Sequence, residues 1–139
     1  MRIVVDTNVL VSGLLSPHGP PGRIVDGIVA EDLRVLFDDR ILDEYREVLL
    51  RPKFGFGPRD IDDVMDQIVS AGEQVSAPPV DVELPDPDDL PFLEVALAGR
   101  SDALVTGNSK HFPRSGRSGT RVVTPKDFLE LWTKETRSR

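Results

Sequence analysis

The chain has 139 residues, a net charge of −7, 39% hydrophobic and 6% aromatic residues, and no cysteine. This length corresponds to one domain with a core of its own. The lack of cysteine excludes disulfides and thiolate metal sites. No apolar run approaches the length of a membrane span, and the first residues lack a signal-peptide pattern. We therefore expect a soluble, cytoplasmic protein.

The charge is distributed unevenly along the chain. Between Ala103 and Lys126 there is no Asp or Glu, so this segment carries +5 and the rest of the chain −12. A basic loop on an acidic body can contact a phosphate backbone. The residues expected to make such contacts are Lys110, Arg114, Arg117 and Arg121. The alternative is a solvated loop without a function.

Strands and helices alternate in the first part of the chain. The pattern predicts a strand over residues 3–5, helices over Asn8–Leu15 and Pro21–Ala30, and a strand over Leu33–Phe37. Asp6 ends the first strand, which places its carboxylate at the carboxyl edge of a sheet, where ligands bind in open α/β folds. The alternative is that Asp6 only caps the helix that follows.

A third helix is predicted over Arg40–Leu50. Its apolar positions share one face: Ile41, Leu42, Tyr45, Val48 and Leu49. Glu44 lies about 100° from the centre of that face, on the border between core and water. It can therefore point into a cleft while the helix stays packed. The alternative is a boundary glutamate without a function.

The alternation continues to the end of the chain. The predicted elements are a helix after Pro58, a proline-rich linker over Ser76–Pro87, a helix ending at Gly99, strands over Ala103–Thr106 and Val122–Val123, and a last helix that begins near Thr124. We expect residues 1–132 to form a single domain and residues 133–139 a frayed tail.

Three aspartates, Asp86, Asp88 and Asp89, stand within four residues before the fifth helix. One aspartate suffices to cap a helix, and the repulsion among three can be offset by a divalent cation. Thr106 and Asn108 form a further polar group, at the end of the next strand.

The alternation of strands and helices predicts a parallel sheet with helices on both faces. Asp6, the three aspartates and Asn108 then share one edge, and Glu44 can reach in from its helix. Oxygen ligands without cysteine favour Mg²⁺ or Mn²⁺. Such an ion activates water for attack on phosphorus, so we predict metal-assisted phosphodiester hydrolysis. This reaction needs no imidazole, and we expect His18 and His111 to be ordinary loop residues.

The sequence resembles the PIN domain family. The resemblance rests on Asp6-Thr7-Asn8, on Glu44, on Asp86–Asp89 with the helix that follows, and on Thr106-Gly107-Asn108. It implies a three-layer α/β/α sandwich with a mostly parallel sheet and an Mg²⁺- or Mn²⁺-dependent endoribonuclease. The chain is most similar to the branch described as toxins of toxin–antitoxin systems. That branch implies a homodimer held by a small antitoxin.

The resemblance also implies roles for single residues. Asp6 and Glu44 match the first two family acids, and Asp89 is chosen for the third, ahead of Asp86 and Asp88, because it opens the helix. The fourth position usually carries an acid, but here it is Asn108, which can bind metal or orient water without adding charge. The expected substrate contacts near these ligands are Thr7, Asn8 and Thr106.

Three hypotheses follow. The first is an active ribonuclease, and the second is a PIN-fold protein that binds RNA or a partner with weak or no catalysis. The third is a phosphoryl-transfer enzyme with Asp6 as nucleophile. It is disfavoured because Asn8 stands where the second acid of an Asp-x-Asp pattern would be.

Overall fold

The computed structural model describes residues 1–137. Five strands and six helices are present in this part of the chain: β1 (Arg2–Val5), α1 (Thr7–Leu15), α2 (Pro20–Val29), β2 (Arg34–Phe37), α3 (Asp39–Leu49), α4 (Pro58–Ala71), β3 (Glu73–Gln74), α5 (Leu90–Gly99), β4 (Ala103–Val105), β5 (Val122–Val123) and α6 (Pro125–Arg137). The two-residue strand β3 has no counterpart among the predicted strands.

The five strands form one parallel sheet in the order β3-β2-β1-β4-β5. The central strand β1 pairs with both neighbours, so that Ile3 lies between Val35 and Ala103. Apart from their first residues, Arg2 and Arg34, β1 and β2 are apolar and buried, and so is the whole of β4, as a sheet covered on both faces requires. The predicted α/β fold is confirmed, and the sheet is parallel throughout.

The helices cover both faces of the sheet. Parallel crossovers are right-handed, so connections that step in opposite directions along the sheet lie on opposite faces. The chain steps from β1 to β2 to β3 in one direction and then returns through α5 to β4. Accordingly α5 packs on β1, β2 and β4, whereas α2 packs against α1, α4 and α6. This is the predicted three-layer arrangement.

The segment 76–89 connects β3 to α5 without regular structure until a short 3₁₀ turn at Pro87–Asp89. It is fixed to the body by Leu84, which is buried, and by Val80, whose amide donates to Glu94 Oε2 at 2.9 Å. These attachments hold the acidic turn against the end of the sheet.

The last helix is longer than expected. Residues 133–137, predicted as a frayed tail, continue α6 to Arg137. The Thr133 and Thr136 hydroxyls donate to the carbonyls of Leu129 and Trp132, at 2.8 and 2.9 Å, which satisfies acceptors within the helix. Residues 138 and 139, the end of that predicted tail, lie outside the described residues. None of the helices in residues 1–137 is both long and apolar enough to cross a membrane.

Candidate active site at the carboxyl edge of the sheet

Asp6 lies directly beyond the last residue of β1. Its amide donates to the Val105 carbonyl at 2.9 Å, which fixes the backbone to the neighbouring strand. Asp6 occupies the N-cap position of α1, but its carboxylate accepts no capping hydrogen bond. Instead Oδ2 accepts from Thr106 Oγ1 at 2.7 Å and from Asn8 Nδ2 at 3.4 Å. The Asp6 side chain thus bonds to residues at the sheet edge and does not cap the helix.

Glu44 reaches the same edge from α3. It is half-buried and accepts a hydrogen bond from the Thr7 hydroxyl. The next residue, Tyr45, is fully buried and donates its hydroxyl proton to the Val5 carbonyl. Tyr45 therefore anchors α3 to the end of β1, and the border position predicted for Glu44 is confirmed.

The three aspartates before α5 have different surroundings. Asp86 Oδ1 accepts from the Asp88 amide at 2.9 Å and caps the 3₁₀ turn, and Asp88 is exposed. Asp89 is only 8% exposed. Its Oδ2 lies 3.0 Å from His111 Nδ1, but this oxygen has no partner with hydrogen-bond geometry in residues 1–137. Of the three, Asp89 is the one buried beside Asp6.

Asn108 and His111 complete the edge. The Asn108 amide donates to Thr106 Oγ1 at 3.1 Å, and its Nδ2 lies 2.9 Å from His111 Nε2. The expectation that His111 is an ordinary loop residue is wrong. The 3₁₀ turn at Ser109–His111 brings residues three apart to one side, and this spacing from Asn108 was the signal available in the sequence. His18 is exposed in the loop between α1 and α2, as expected.

The carboxylates at this edge have pKa values above their ordinary ones. Burial raises the pKa of Asp6 above its ordinary value, although the Thr106 hydrogen bond opposes the rise. Burial also raises the pKa of Glu44, with further contributions from the charges of Asp6 and Asp88. Burial and the Asp6 charge raise the pKa of Asp89 to about 6, and His111 opposes this rise. A bound cation would favour the ionised forms and lower these pKa values.

Of the three predicted substrate contacts near the acids, two have hydroxyls that bond to the acids and one is exposed. Thr106 is fully buried, so it acts as a support for Asp6, and the Thr7 hydroxyl is bound to Glu44. Asn8 is exposed, and its Oδ1 accepts from the Gly107 amide at 3.2 Å. Asn8, Gly107 and Asn108 line a cleft of about 330 Å³ beside the acids.

The basic loop is divided between two edges of the sheet. Lys110 is exposed in the turn that follows Asn108, and Arg114 is exposed in the next 3₁₀ turn. Arg117 is partly committed to its own loop, since its Nε donates to the Phe112 carbonyl at 2.7 Å. Arg121 precedes β5 and lies at the amino edge, away from the carboxylates.

Glu94 is a supporting residue that sequence reasoning missed. It is 5% exposed on α5, and its Oε1 accepts from Arg40 Nη1 at 2.7 Å. Its other oxygen accepts from the Val80 amide. Arg40 also binds Asp38, the residue that caps α3, with Nη2 2.7 Å from Asp38 Oδ2. Glu94 thus ties the start of α3 and the segment 76–89 to α5.

The donor set suits a hard divalent cation in its chemistry. It consists of carboxylate and amide oxygens, and the buried Asp89 Oδ2 lacks a hydrogen-bond partner. Within residues 1–137, however, no three His, Asp or Glu side chains are grouped closely enough to hold one ion. The residues whose oxygen atoms suit such an ion are Asp6, Glu44, Asp89 and Asn108.

The parallel sheet and the carboxylates at its carboxyl edge define a small α/β protein with an acidic site. The chain belongs to the PIN domain family, whose model matches residues 2–110. PIN domains are typically nucleases, so this membership suggests nuclease activity. An uncharacterized protein of Methanocaldococcus jannaschii is 28% identical over 145 residues, which cover 96% of this chain and 93% of that protein. No solved structure matches the chain.

Proposed function

We propose that this PIN domain is an endoribonuclease that depends on Mg²⁺ or Mn²⁺. The observation that carries the proposal is the gathering of Asp6, Glu44 and Asp89 at one sheet edge, where each carboxylate has a raised pKa. Carboxylates that are partly or fully buried at one place are typical of sites that bind a cation. Membership of a family of nucleases supports phosphodiester hydrolysis as the reaction.

Asp6, Glu44, Asp89 and Asn108 would hold the ion in this proposal. When bound, the ion supplies positive charge that activates water and stabilises phosphate oxygens. The Thr106 and Thr7 hydroxyls orient Asp6 and Glu44, respectively, so that their free oxygens remain available. Lys110 and Arg114, both exposed, provide positive charge for the RNA backbone.

Cleavage of a fluorescent single-stranded RNA with Mg²⁺ or Mn²⁺ tests the proposal. We expect Asp6→Asn and Asp89→Asn to lower the cleavage rate by more than about a hundredfold, because even outer-shell changes cost 10–100-fold. Asp63→Asn, on the exposed side of α4, removes the same charge elsewhere and serves as the control. Wild-type cleavage by both site variants would refute the assignment.

A second candidate function is binding of RNA or a partner with weak or no catalysis. Two observations favour it: Asn108 brings no charge, and no three acids are grouped closely within residues 1–137. We expect Asn108→Asp to bind Mn²⁺ about tenfold more tightly by calorimetry, because it adds an anion close to the ion. Cleavage by this variant but not by the wild type would favour the second candidate.

We further propose that the chain is the toxin of a toxin–antitoxin pair in the cytoplasm, a homodimer bound by a small antitoxin protein. The support is the resemblance of its motifs to that branch of the family. Expression should slow cell growth, and Asp6→Asn should abolish the effect. Light scattering of the purified chain would test the dimer, and a monomer at micromolar concentration would contradict it.

A further inference from the structure

A second polar cleft lies at the amino edge of the sheet, opposite the carboxylates. It has a volume of about 450 Å³ and is formed by the residues before β4 and before β5. Arg100 and Arg121 line it, and both are exposed. Neither guanidinium has an ion-pair or hydrogen-bond partner within residues 1–137. The cleft therefore holds two guanidinium groups that form no ion pair with any residue of the described chain.

Arg100 occupies a backbone position that normally carries glycine. It follows α5 with φ 52° and ψ 54°, in the left-handed region. The Ser101 amide donates to the Ala96 carbonyl at 3.0 Å and the Arg100 amide to Leu97, which is the Schellman arrangement. Glycine or asparagine adopts this conformation more readily than arginine. Arginine at this position therefore has a backbone cost that glycine would avoid. A role for its side chain in the cleft would account for that cost.

The other residues that line the cleft supply hydroxyl groups that can donate hydrogen bonds to a ligand. The Ser101 hydroxyl is buried and has no hydrogen-bond partner in the described chain. Asp102 brings the one negative charge, and its Oδ2 already accepts from the Arg2 amide at 2.8 Å. The Arg2 guanidinium is paired with Glu73. Ser118 and Thr120 add hydroxyls on the other side. The cleft lining has a net charge of +1.

We propose that this cleft binds a phosphate group. Two guanidinium forks match the several acceptor oxygens of a phosphate, and the neighbouring hydroxyls can satisfy the remaining ones. The volume falls in the range of sites for small molecules, so a nucleotide-sized group fits. Two sources share this chemistry: a terminal phosphomonoester and an internal phosphodiester of RNA.

The proposed phosphate site is separate from the candidate active site. Ser101 and Asp102 precede β4, whereas Thr106 follows it, so the two sites lie about 10 Å or more apart along the strand. The phosphate site holds none of the carboxylates assigned to the metal. Its test therefore needs neither a metal ion nor cleavage, and its failure would leave the proposed nuclease untouched.

The experiment is an NMR titration of the isotope-labelled, metal-free protein with inorganic phosphate. We expect the amide signals of Ser101, Asp102 and Thr120 to shift with saturation. Arg100→Gly and Arg121→Gln should each weaken binding about tenfold, because each removes charged hydrogen bonds. Arg100→Gly suits the left-handed backbone and should fold. Arg121→Lys, which keeps the charge but loses the fork, should weaken binding less and serves if Arg121→Gln is unstable.

Arg59→Gln, an exposed arginine on α4, is the matched control and should bind phosphate as the wild type does. In an Asp6→Asn background, one RNA oligonucleotide is then compared with a 5′-phosphate and with a 5′-hydroxyl. Tighter binding of the phosphorylated form identifies a terminal phosphomonoester, and equal binding that Arg100→Gly weakens for both forms identifies an internal phosphodiester. Absence of shifts in the cleft, or equal phosphate affinity in the wild type and both arginine variants, would overturn the proposal.

Discussion

The two edges of the sheet present opposite chemistry. At the carboxyl edge, Asp6 and Asp89 are buried and have raised pKa values, and Asp6 accepts a hydrogen bond from the Thr106 hydroxyl. At the amino edge, Arg100 and Arg121 are exposed and have no ion-pair partner within residues 1–137. The protein thus buries its candidate ligands for cations and leaves its candidate ligands for anions open to water. Burial makes the first edge sensitive to small structural changes, since each lost hydrogen bond there exposes a charge to a poorly solvating environment.

The largest effect is expected from Thr106→Val, which removes the buried donor to Asp6 while keeping the side-chain shape. Affinity for Mn²⁺ should fall 10–100-fold, as for other partners of metal ligands. Calorimetric titration measures this. Thr133→Val removes an exposed hydroxyl from α6 and should leave the affinity unchanged. If Thr106→Val binds Mn²⁺ as the wild type does, the carboxyl edge does not depend on this hydroxyl.

Glu94→Gln should destabilise the fold by about 2 kcal/mol, because the charged hydrogen bond to Arg40 is lost and the Val80 contact is weakened. Urea denaturation gives the free energy of unfolding. The matched control is Glu47→Gln, which removes the exposed pair with Arg51 and should cost less than about 0.5 kcal/mol. Equal losses for both variants would show that Glu94 does not hold the segment 76–89 in place.

The pH dependence of stability distinguishes Asp89 from exposed acids. Its pKa of about 6 lies above the ordinary 3.8, so between about pH 4 and 6 the folded protein binds more protons than the unfolded chain. The free energy of unfolding therefore falls as pH rises through this window. Asp89→Asn cannot ionise at this position, so its free energy of unfolding should not fall in this window. Without metal, the variant should be about 1 kcal/mol more stable than the wild type at pH 7, and the two proteins should be equally stable near pH 4.

Urea denaturation at several pH values measures this difference, with Asp63→Asn as the control for an exposed acid. A stability difference between Asp89→Asn and the wild type that does not change with pH would mean that the Asp89 carboxylate is solvated in the folded protein.

The smallest effect concerns the basic loop next to the carboxyl edge. Lys110→Gln should reduce the slope of log affinity against log salt for single-stranded RNA by about 0.7, because one phosphate contact is lost. Arg59→Gln on α4 should not change the slope. A slope that Lys110→Gln leaves unaltered would assign RNA binding to another part of the surface.

Much of the fold could be predicted because its strands are short apolar runs separated by clear helix patterns. The position of Asp6 after β1 and of Glu44 on the border of α3 followed from strand ends and helical periodicity. The strand β3 could not be predicted, since Glu73 and Gln74 show no apolar signal. They pair with Leu36 and Phe37, and the Val75 amide donates to the Phe37 carbonyl at 2.8 Å.

The contacts that support the site were harder to predict from the sequence. The pairing of Glu94 with Arg40 joins residues 54 positions apart, and no local pattern encodes it. The position of Arg121 at the amino edge was not accessible from the sequence for a different reason. Charge along the chain grouped it with Lys110, but the turns between Ser109 and Gly116 carry the chain from one sheet edge to the other.

The outer strands of the sheet, β3 and β5, are only two residues long. An open strand edge is a template for pairing with another chain, and its hazard grows with its length. Here each margin offers at most one or two unpaired backbone groups, and β3 carries Glu73, which is paired with Arg2. The short edge strands and the charge of Glu73 thus disfavour pairing of this parallel sheet with a strand of another chain.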